Sequence, residues 1–221
     1  WHDGAGLRVR LYAHGGLLGR LWGTVFLGSS RMVEEFRMAL HAVREGVPTA
    51  EPFALRVERV LGPFVRAMYV TETIPDAVNL LQLCESGRAG ELSPAQRAGL
   101  ADALARTVAR MHDAGILHGD LNLKNLLVRN ACDAPEAFVI DFDRARRRET
   151  VSLAERMANL LRLDRSILKW PASRQAIGVL DRMRLLHSYL ARYPQWADRW
   201  ARIARRYGSG HLRHRLFRQK G

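Results

Sequence analysis

The sequence predicts an α+β chain of two unequal lobes, a small β-rich lobe over residues 1–74 and a larger helical lobe over residues 75–221. Three observations predict it. Alternating apolar and polar residues gather before residue 75. Helical periodicity dominates after it. One short hairpin with an Asp- and Asn-rich loop interrupts the helical part. With 221 residues, 48% hydrophobic and 26% charged, the chain has the composition of a globular protein and can bury a substantial core.

In the first lobe, Asp3-Gly4-Ala5-Gly6 reads as a turn. Residues 7–12 read as a strand, with Leu7, Val9 and Leu11 on one side and Arg8 and Arg10 on the other. Residues 15–30 are rich in glycine and apolar side chains and read as an irregular loop. Ser30 is the expected cap of a helix over residues 31–45, stopped by Gly46-Val47-Pro48. Residues 53–59 and 64–71 alternate as two strands around Leu61-Gly62-Pro63. Residues 71–75 then cross to the second lobe.

There, residues 80–85 suggest a short helix. Ser93-Pro94-Ala95-Gln96 is a capping box with proline at the first helical position. It opens a helix to Asp113 with Leu100, Leu104, Val108 and Met111 on one stripe, and Gly115 ends it. Further helices are expected over residues 151–163, 174–192 and 195–207, with Trp170, Trp196 and Trp200 packing them together. The tail from Gly208 is basic.

The chemistry lies between these helices. His118-Gly119-Asp120-Leu121-Asn122-Leu123-Lys124-Asn125 precedes Val139-Ile140-Asp141-Phe142-Asp143. Kinase phosphoryl transfer uses one carboxylate to accept the proton of the attacking hydroxyl. An Asn amide and a second carboxylate hold the Mg²⁺ that neutralises the phosphates. In that pattern Asp120 is the base, and Asn125 and Asp141 are the Mg²⁺ ligands. Two short strands, Leu126-Leu127-Val128 and Phe138-Val139-Ile140, flank a turn over residues 130–135 and would bring Asn125 close to Asp141. His118 props the loop by hydrogen bonding. His112 and His118 share no helix face and have no Cys partners, so zinc is not expected. Asp143 and Asn122 stand near enough to assist metal or acceptor, and each fits a solvated turn equally well.

Such a site also needs a cation on the ATP phosphates. No lysine precedes Lys124, so Arg10 takes that part, with Glu35 on the first helix as its partner and Glu34 as the competitor. The nucleotide would lie between the lobes against the crossing segment, beside Glu72 and Ile74. A glycine-rich phosphate loop is not visible, since Gly4-Ala5-Gly6 and Gly15-Gly16 each read as turns. The chain opens on Trp1 and not Met, so residue 1 is not expected to be the natural start, and residues preceding it are one place for that loop.

Net charge is +13, and it is uneven. Residues 1–143 carry 15 basic and 17 acidic side chains, and residues 144–221 carry 20 and 5, a local excess of +15. Such a field favours a polyanion: nucleic acid, an anionic membrane surface or a phosphorylated glycolipid. No aromatic-interleaved basic motif supports nucleic acid. Cys84 and Cys132 match no metal or redox spacing and read as free thiols in a reducing compartment. No apolar run approaches bilayer length.

With those residues placed, the chain resembles the lipopolysaccharide kinase family, the bacterial Kdo and core-heptose kinases. The resemblance covers most of residues 7–192. It rests on Val9-Arg10-Leu11-Tyr12 running into Gly15-Gly16-Leu17, on Glu35-Phe36-Arg37, and on Met111-His112-Asp113-Ala114-Gly115. His118-Gly119-Asp120-Leu121-Asn122 and Asp141-Phe142-Asp143-Arg144-Ala145 carry it furthest, and Asn159-Leu160-Leu161-Arg162-Leu163-Asp164-Arg165-Ser166 follows. Arginine in the strand-lysine place leans toward the Kdo kinases. The resemblance implies a protein-kinase-like bilobal fold. It also implies ATP-dependent phosphorylation of an inner-core sugar on an anionic glycolipid, at the cytoplasmic face of the bacterial inner membrane. The alternatives are a small-molecule kinase of the aminoglycoside or choline type, an atypical protein kinase, and a non-catalytic polyanion-binding module.

Overall fold

The computed structural model describes residues 6–13 and 23–199. The expected turns at Asp3-Gly4-Ala5-Gly6 and Gly15-Gly16, Trp200 and the tail lie wholly or partly outside them.

The first part is built on an antiparallel sheet whose central strand is β4. Strand β1 (Leu7–Leu11) pairs with β4 (Phe64–Glu72) in the register Leu7↔Glu72 to Leu11↔Met68. The short β2 (Phe26–Leu27) extends that side, and β3 (Pro52–Leu61) forms a hairpin with β4 from the other. Gly62 turns the hairpin in a left-handed conformation. Alternation along β1 leaves Leu7, Val9 and Leu11 exposed and turns Arg10 and the following Tyr12 inward.

Helix α1 (Ser30–Arg44) covers the inner face, burying Met32, Glu35, Ala39 and Ala42. Its N-cap is Ser29, one residue before the expected Ser30. Gly46, left-handed, stops it, and the Val47 N–H donates to the Ala42 carbonyl at 2.9 Å.

The rest is helical around α4 (Pro94–Asp113), which begins at the expected capping box of Ser93 and Gln96. Two short helices, α2 (Leu80–Glu85) and α3 (Arg88–Glu91), precede it. Because α4 is packed on several sides, burial extends beyond that stripe to Ala101, Ala105, Thr107 and His112. Gly115 ends the turn after α4 with φ +73°, and a Cβ there would run into the Arg148 carbonyl oxygen.

Strand β6 (Ile116–Leu117) leads into the His118 loop and pairs with β9 (Arg146–Arg147). The expected hairpin is β7 (Leu126–Arg129) and β8 (Glu136–Val139), with β5 (Val78–Asn79) beside β7. Strand β8 ends one residue before Ile140, whose N–H still donates to the Asn125 carbonyl at 2.9 Å.

The C-terminal helices differ from expectation in two places. Helix α5 (Leu153–Lys169) starts later than residue 151, because Ser152 and Glu155 form a capping box, and runs past Leu163 to Lys169. The expected single helix over residues 174–192 is two, α6 (Pro171–Ala176) and α7 (Val179–Leu190). Gly178, extended between them, donates its N–H to Asp181 at 3.0 Å and caps α7 instead of continuing α6. A 3₁₀ turn, Pro194–Arg199, begins where a helix was expected from residue 195, and that expectation beyond Arg199 lies outside the described residues. Trp196 stacks on Tyr193 with centroids 4.4 Å apart, and Trp170 is partly buried at the α5–α6 junction.

A buried polar network knits these helices. Arg156, only 8% exposed, donates to Asp113 at 2.8 Å, to the Tyr193 hydroxyl at 2.6 Å and to the Val151 carbonyl at 2.9 Å. His112 reaches the Asn159 Oδ1 through Nε2 at 3.3 Å and the Tyr189 hydroxyl through Nδ1 at 2.7 Å. A carboxamide oxygen only accepts, so Nε2 carries the proton and Nδ1 accepts from the tyrosine. Burial pushes His112 down to about 4. The unfolded chain therefore binds a proton that the folded chain refuses, and stability present above pH 6.5 is lost as pH falls towards 4. Urea unfolding should reveal a loss of about 2 kcal/mol from this group between pH 7.5 and pH 5. The His112→Gln variant should have a shallower slope over that range, and an unchanged slope would refute the assignment.

Candidate active site

A cleft of about 460 Å³ opens between the sheet and the hairpin. Arg10, Glu72, Ile74, Asn125 and Asp141 line it together. Glu35 stands behind Arg10, and Asp120 is exposed outside the lining, on the loop below.

The sheet side is fixed by one buried carboxylate. Of the two adjacent glutamates, α1 turns Glu34 to solvent, where Arg37 donates to it at 3.0 Å, and buries Glu35 to 2% exposure. Glu35 accepts from Arg10 through Oε1 and from the Tyr12 hydroxyl through Oε2, the latter at 2.6 Å. The other arm of the Arg10 guanidinium donates to Asp141 Oδ1 at 3.2 Å. Arg10 also lies over the Tyr12 ring, 4.9 Å from its centroid. Burial works against the Arg10 charge, but Glu35 and Asp141 more than offset it, and the guanidinium titrates above its usual range. Burial pushes Glu35 up while Arg10 and Tyr12 pull it back.

The loop side is built from backbone and imidazole. His118 Nδ1 accepts from the Asp120 N–H at 3.0 Å, and its Nε2 donates to the Ile140 carbonyl at 3.1 Å. The ring thus ties the Asp120 loop to the segment carrying Asp141. Burial lowers its pKa, which favours the neutral form that this pair of bonds requires. Asn125 donates to the Asp120 carbonyl at 2.9 Å, leaving its Oδ1 out of that bond. Asn122 is spent on the loop itself, donating to the Asp120 carbonyl at 3.0 Å and accepting from the Lys124 N–H at 2.8 Å.

Helix α5 holds the loop from beneath. Asn159 accepts from the His118 N–H at 3.1 Å and donates to its carbonyl at 3.0 Å, while Ser166 accepts from the Leu123 N–H at 3.2 Å.

Asp141 and Arg144 both take left-handed backbone conformations, φ +66° and +62°. The turn they make presses the Arg144 carbonyl onto Gly119, where any Cβ would overlap it. Asp143 leaves this turn toward α1 and forms a bidentate pair with Arg31, whose Nε donates to Oδ1 at 2.7 Å. That bond holds Asp143 below its ordinary range. Neither the Arg31–Asp143 pair nor the Tyr12 bond to Glu35 was expected from the sequence. Lys124, also in the cleft wall, sits 4.8 Å from the Trp170 ring centroid.

The amide oxygen of Asn125, which accepts no hydrogen bond among the described residues, and the carboxylate of Asp141 are hard oxygen donors. A donor set of this kind suits Mg²⁺ with retained waters and does not suit a thiolate-seeking metal.

The architecture is that of a two-lobed, kinase-like protein. A solved structure of WaaP in complex with acyl carrier protein has the same fold, with TM-score 0.58 and 21% identity over 91% of this chain and 99% of that one. The model of the lipopolysaccharide kinase (Kdo/WaaP) family matches residues 5–189, and the chain belongs to that family. Among its relatives, the 3-deoxy-D-manno-octulosonic acid kinase of Vibrio parahaemolyticus is 32% identical over 171 residues, 76% of this chain and 66% of that protein. The enzyme of the same name from Photobacterium damsela is 33% identical over 168 residues, 74% and 65% of the two chains. The matches thus span about two thirds of the length of these curated relatives.

The contact of Gly119 with Arg144 gives a direct test. Gly119→Ala should lower stability by about 1–3 kcal/mol, read as a lower urea midpoint, because the neighbour is backbone and cannot swing aside. An unchanged midpoint would contradict the close approach.

Proposed function

We propose that the chain is an ATP-dependent kinase that phosphorylates a hydroxyl of an inner-core sugar of lipopolysaccharide, Kdo or heptose. Arg10, spanning from Glu35 to Asp141 along one cleft, is the observation that carries this reading. Family membership supports the acceptor class, and the similarity to 3-deoxy-D-manno-octulosonic acid kinases favours the sugar acid.

In this reading Arg10 presents a planar, permanently charged fork to the ATP phosphates, with its orientation held by Glu35. Asn125 and Asp141 hold Mg²⁺, which supplies neutralisation of the charge on the transferring phosphoryl group. Glu72 and Ile74 border the nucleotide at the crossing between lobes. Asp120 receives the proton of the acceptor hydroxyl, and the His118 ring fixes the backbone from which Asp120 projects.

The acceptor side is cationic. Arg162 lies on α5 three residues after Asn159 and four before Ser166, on the face whose side chains bond both ends of the catalytic loop. It is exposed, and its charge acts on His118. A sugar acid or a phosphorylated lipid approaching Asp120 would meet this guanidinium with Lys124 and Arg144. The +15 of residues 144–221 favours peripheral contact with the anionic cytoplasmic face of the inner membrane. Among the described residues no helix is long and apolar enough to cross a membrane.

ATP turnover tests the reading, with Kdo–lipid A, heptosylated core, an aminoglycoside and a generic protein substrate offered in parallel. Turnover confined to the last two would overturn it. Asp120→Asn should cut kcat by at least about 100-fold while ATP still binds. Asp141→Ala should abolish the Mg²⁺ dependence of ATP binding in calorimetry. Arg162→Gln should raise KM for the anionic acceptor about tenfold with KM for ATP unchanged, a loss of about 1.4 kcal/mol. An equal rise in both constants would remove Arg162 from the acceptor side. Vesicle binding should weaken between low salt and 0.5 M salt, and salt-insensitive binding would count against the electrostatic contact.

A further inference from the structure

Helix α1 carries Glu35, and each of its ends is fastened to the helical half of the molecule. At the first turn, Arg31 grips both carboxylate oxygens of Asp143. At the last turn, His41 Nε2 donates to the Ala114 carbonyl at 2.9 Å, just after α4. Glu35 lies between these fastenings, one turn beyond Arg31, and holds Arg10, which reaches back to Asp141. Asp141 and Asp143 are two residues apart in one turn. The contacts therefore close a ring that runs from Asp141 through Arg10, Glu35, the first turn of α1, Arg31 and Asp143 and back to Asp141.

The turn can serve as an anchor because it is itself held. Phe142 between the two aspartates is 3% exposed and lies against the His118 ring, with centroids 5.8 Å apart. The Arg144 carbonyl rests on Gly119. Asp143 is therefore presented from a fixed support, and both of its oxygens are already taken by Arg31. That arrangement argues against a direct part in metal or acceptor binding.

We propose that Arg31 and Asp143 are a positioning pair for phosphoryl transfer, setting the placement of α1 and through Glu35 the placement of Arg10 over the phosphates. The proposal rests on the kinase reading for its effect on rate. The pair lies at a partly exposed site, with the Arg31 side chain 50% and the Asp143 side chain 19% accessible, so it contributes little to global stability. Its influence belongs in the geometry of the site, where a displacement of about 1 Å costs on the order of 100-fold in rate.

Four measurements test this. Arg31→Gln and Asp143→Asn should each lower kcat between about 10- and 100-fold, with Tm moved by no more than about 3 °C. The exchanged pair, Arg31→Asp with Asp143→Arg, should recover to within about threefold of the parent. If Asp143 instead touched metal or acceptor, the exchange would stay as inactive as the single variants, and the proposal would fall. In a Glu35→Gln background, Asp143→Asn should add no further loss, because the pair acts through Glu35. Multiplying losses would equally overturn it.

The fourth measurement needs no turnover. Spin labels at Arg37 on α1 and Arg110 on α4, both exposed, report helix placement in a Cys132→Ser background. The distance distribution should be narrow in the parent and in the exchanged pair, and broadened or shifted in the single variants. An unchanged distribution in the single variants refutes the positioning role. If the parent turned over no acceptor while the labels behaved as expected, the kinase reading would fail and the fastening would stand.

Discussion

A carboxylate removed from water is unfavourable unless opposite charge and hydrogen bonds replace the lost hydration. Glu35 is such a group, and much of the site is arranged around it. Arg10 and Tyr12, two residues apart on the inward side of β1 and its extension, satisfy its two oxygens. Satisfying Glu35 fixes β1 against α1. It also leaves the second arm of the Arg10 fork pointing at Asp141, so that the demand of one buried charge sets the distance between the two halves of the cleft. Removing the arginine would strand Glu35, whereas replacing the carboxylate with an amide would leave Arg10 with Asp141 as its partner in the cleft.

The loop from His118 to Asn125 is held by a different chemistry. Its supports are neutral: two imidazoles depressed by burial, an amide and a hydroxyl. Asn159 is the junction, because its oxygen accepts from both the His118 backbone and the His112 ring. A neutral scaffold beneath the loop leaves the field at Asp120 to the exposed cations around it. The two halves of the site thus divide the work, with charge pairs orienting the sheet side and dipoles orienting the loop side.

Much of this was legible in the sequence, for identifiable reasons. The loop and hairpin carry their own spacing, and strand alternation alone put Arg10 on the face opposite Leu7, Val9 and Leu11. Helix phase could not separate Glu34 from Glu35, since adjacent residues differ by only 100° and the decision depends on what the helix packs against. The break at Gly178 was missed because the apolar pattern continues across it, and only the local cap by Asp181 makes the extended conformation favourable. The Arg31–Asp143 pair was not legible: the two residues lie 112 apart, and each on its own fits an exposed turn or helix start. Pairings over such separations leave no periodic trace.

The same separations bear on how the molecule is made. Arg10 and Glu35 are 25 residues apart, but Arg10 and Asp141 are 131 apart. During synthesis the sheet and α1 can assemble with Glu35 already neutralised, well before Asp141 and Asp143 leave the ribosome. The lobe built on that sheet is thus able to form ahead of its counterpart. Closure of the long loop between Arg31 and Asp143 is a late event, and its entropy cost grows only slowly with the length enclosed.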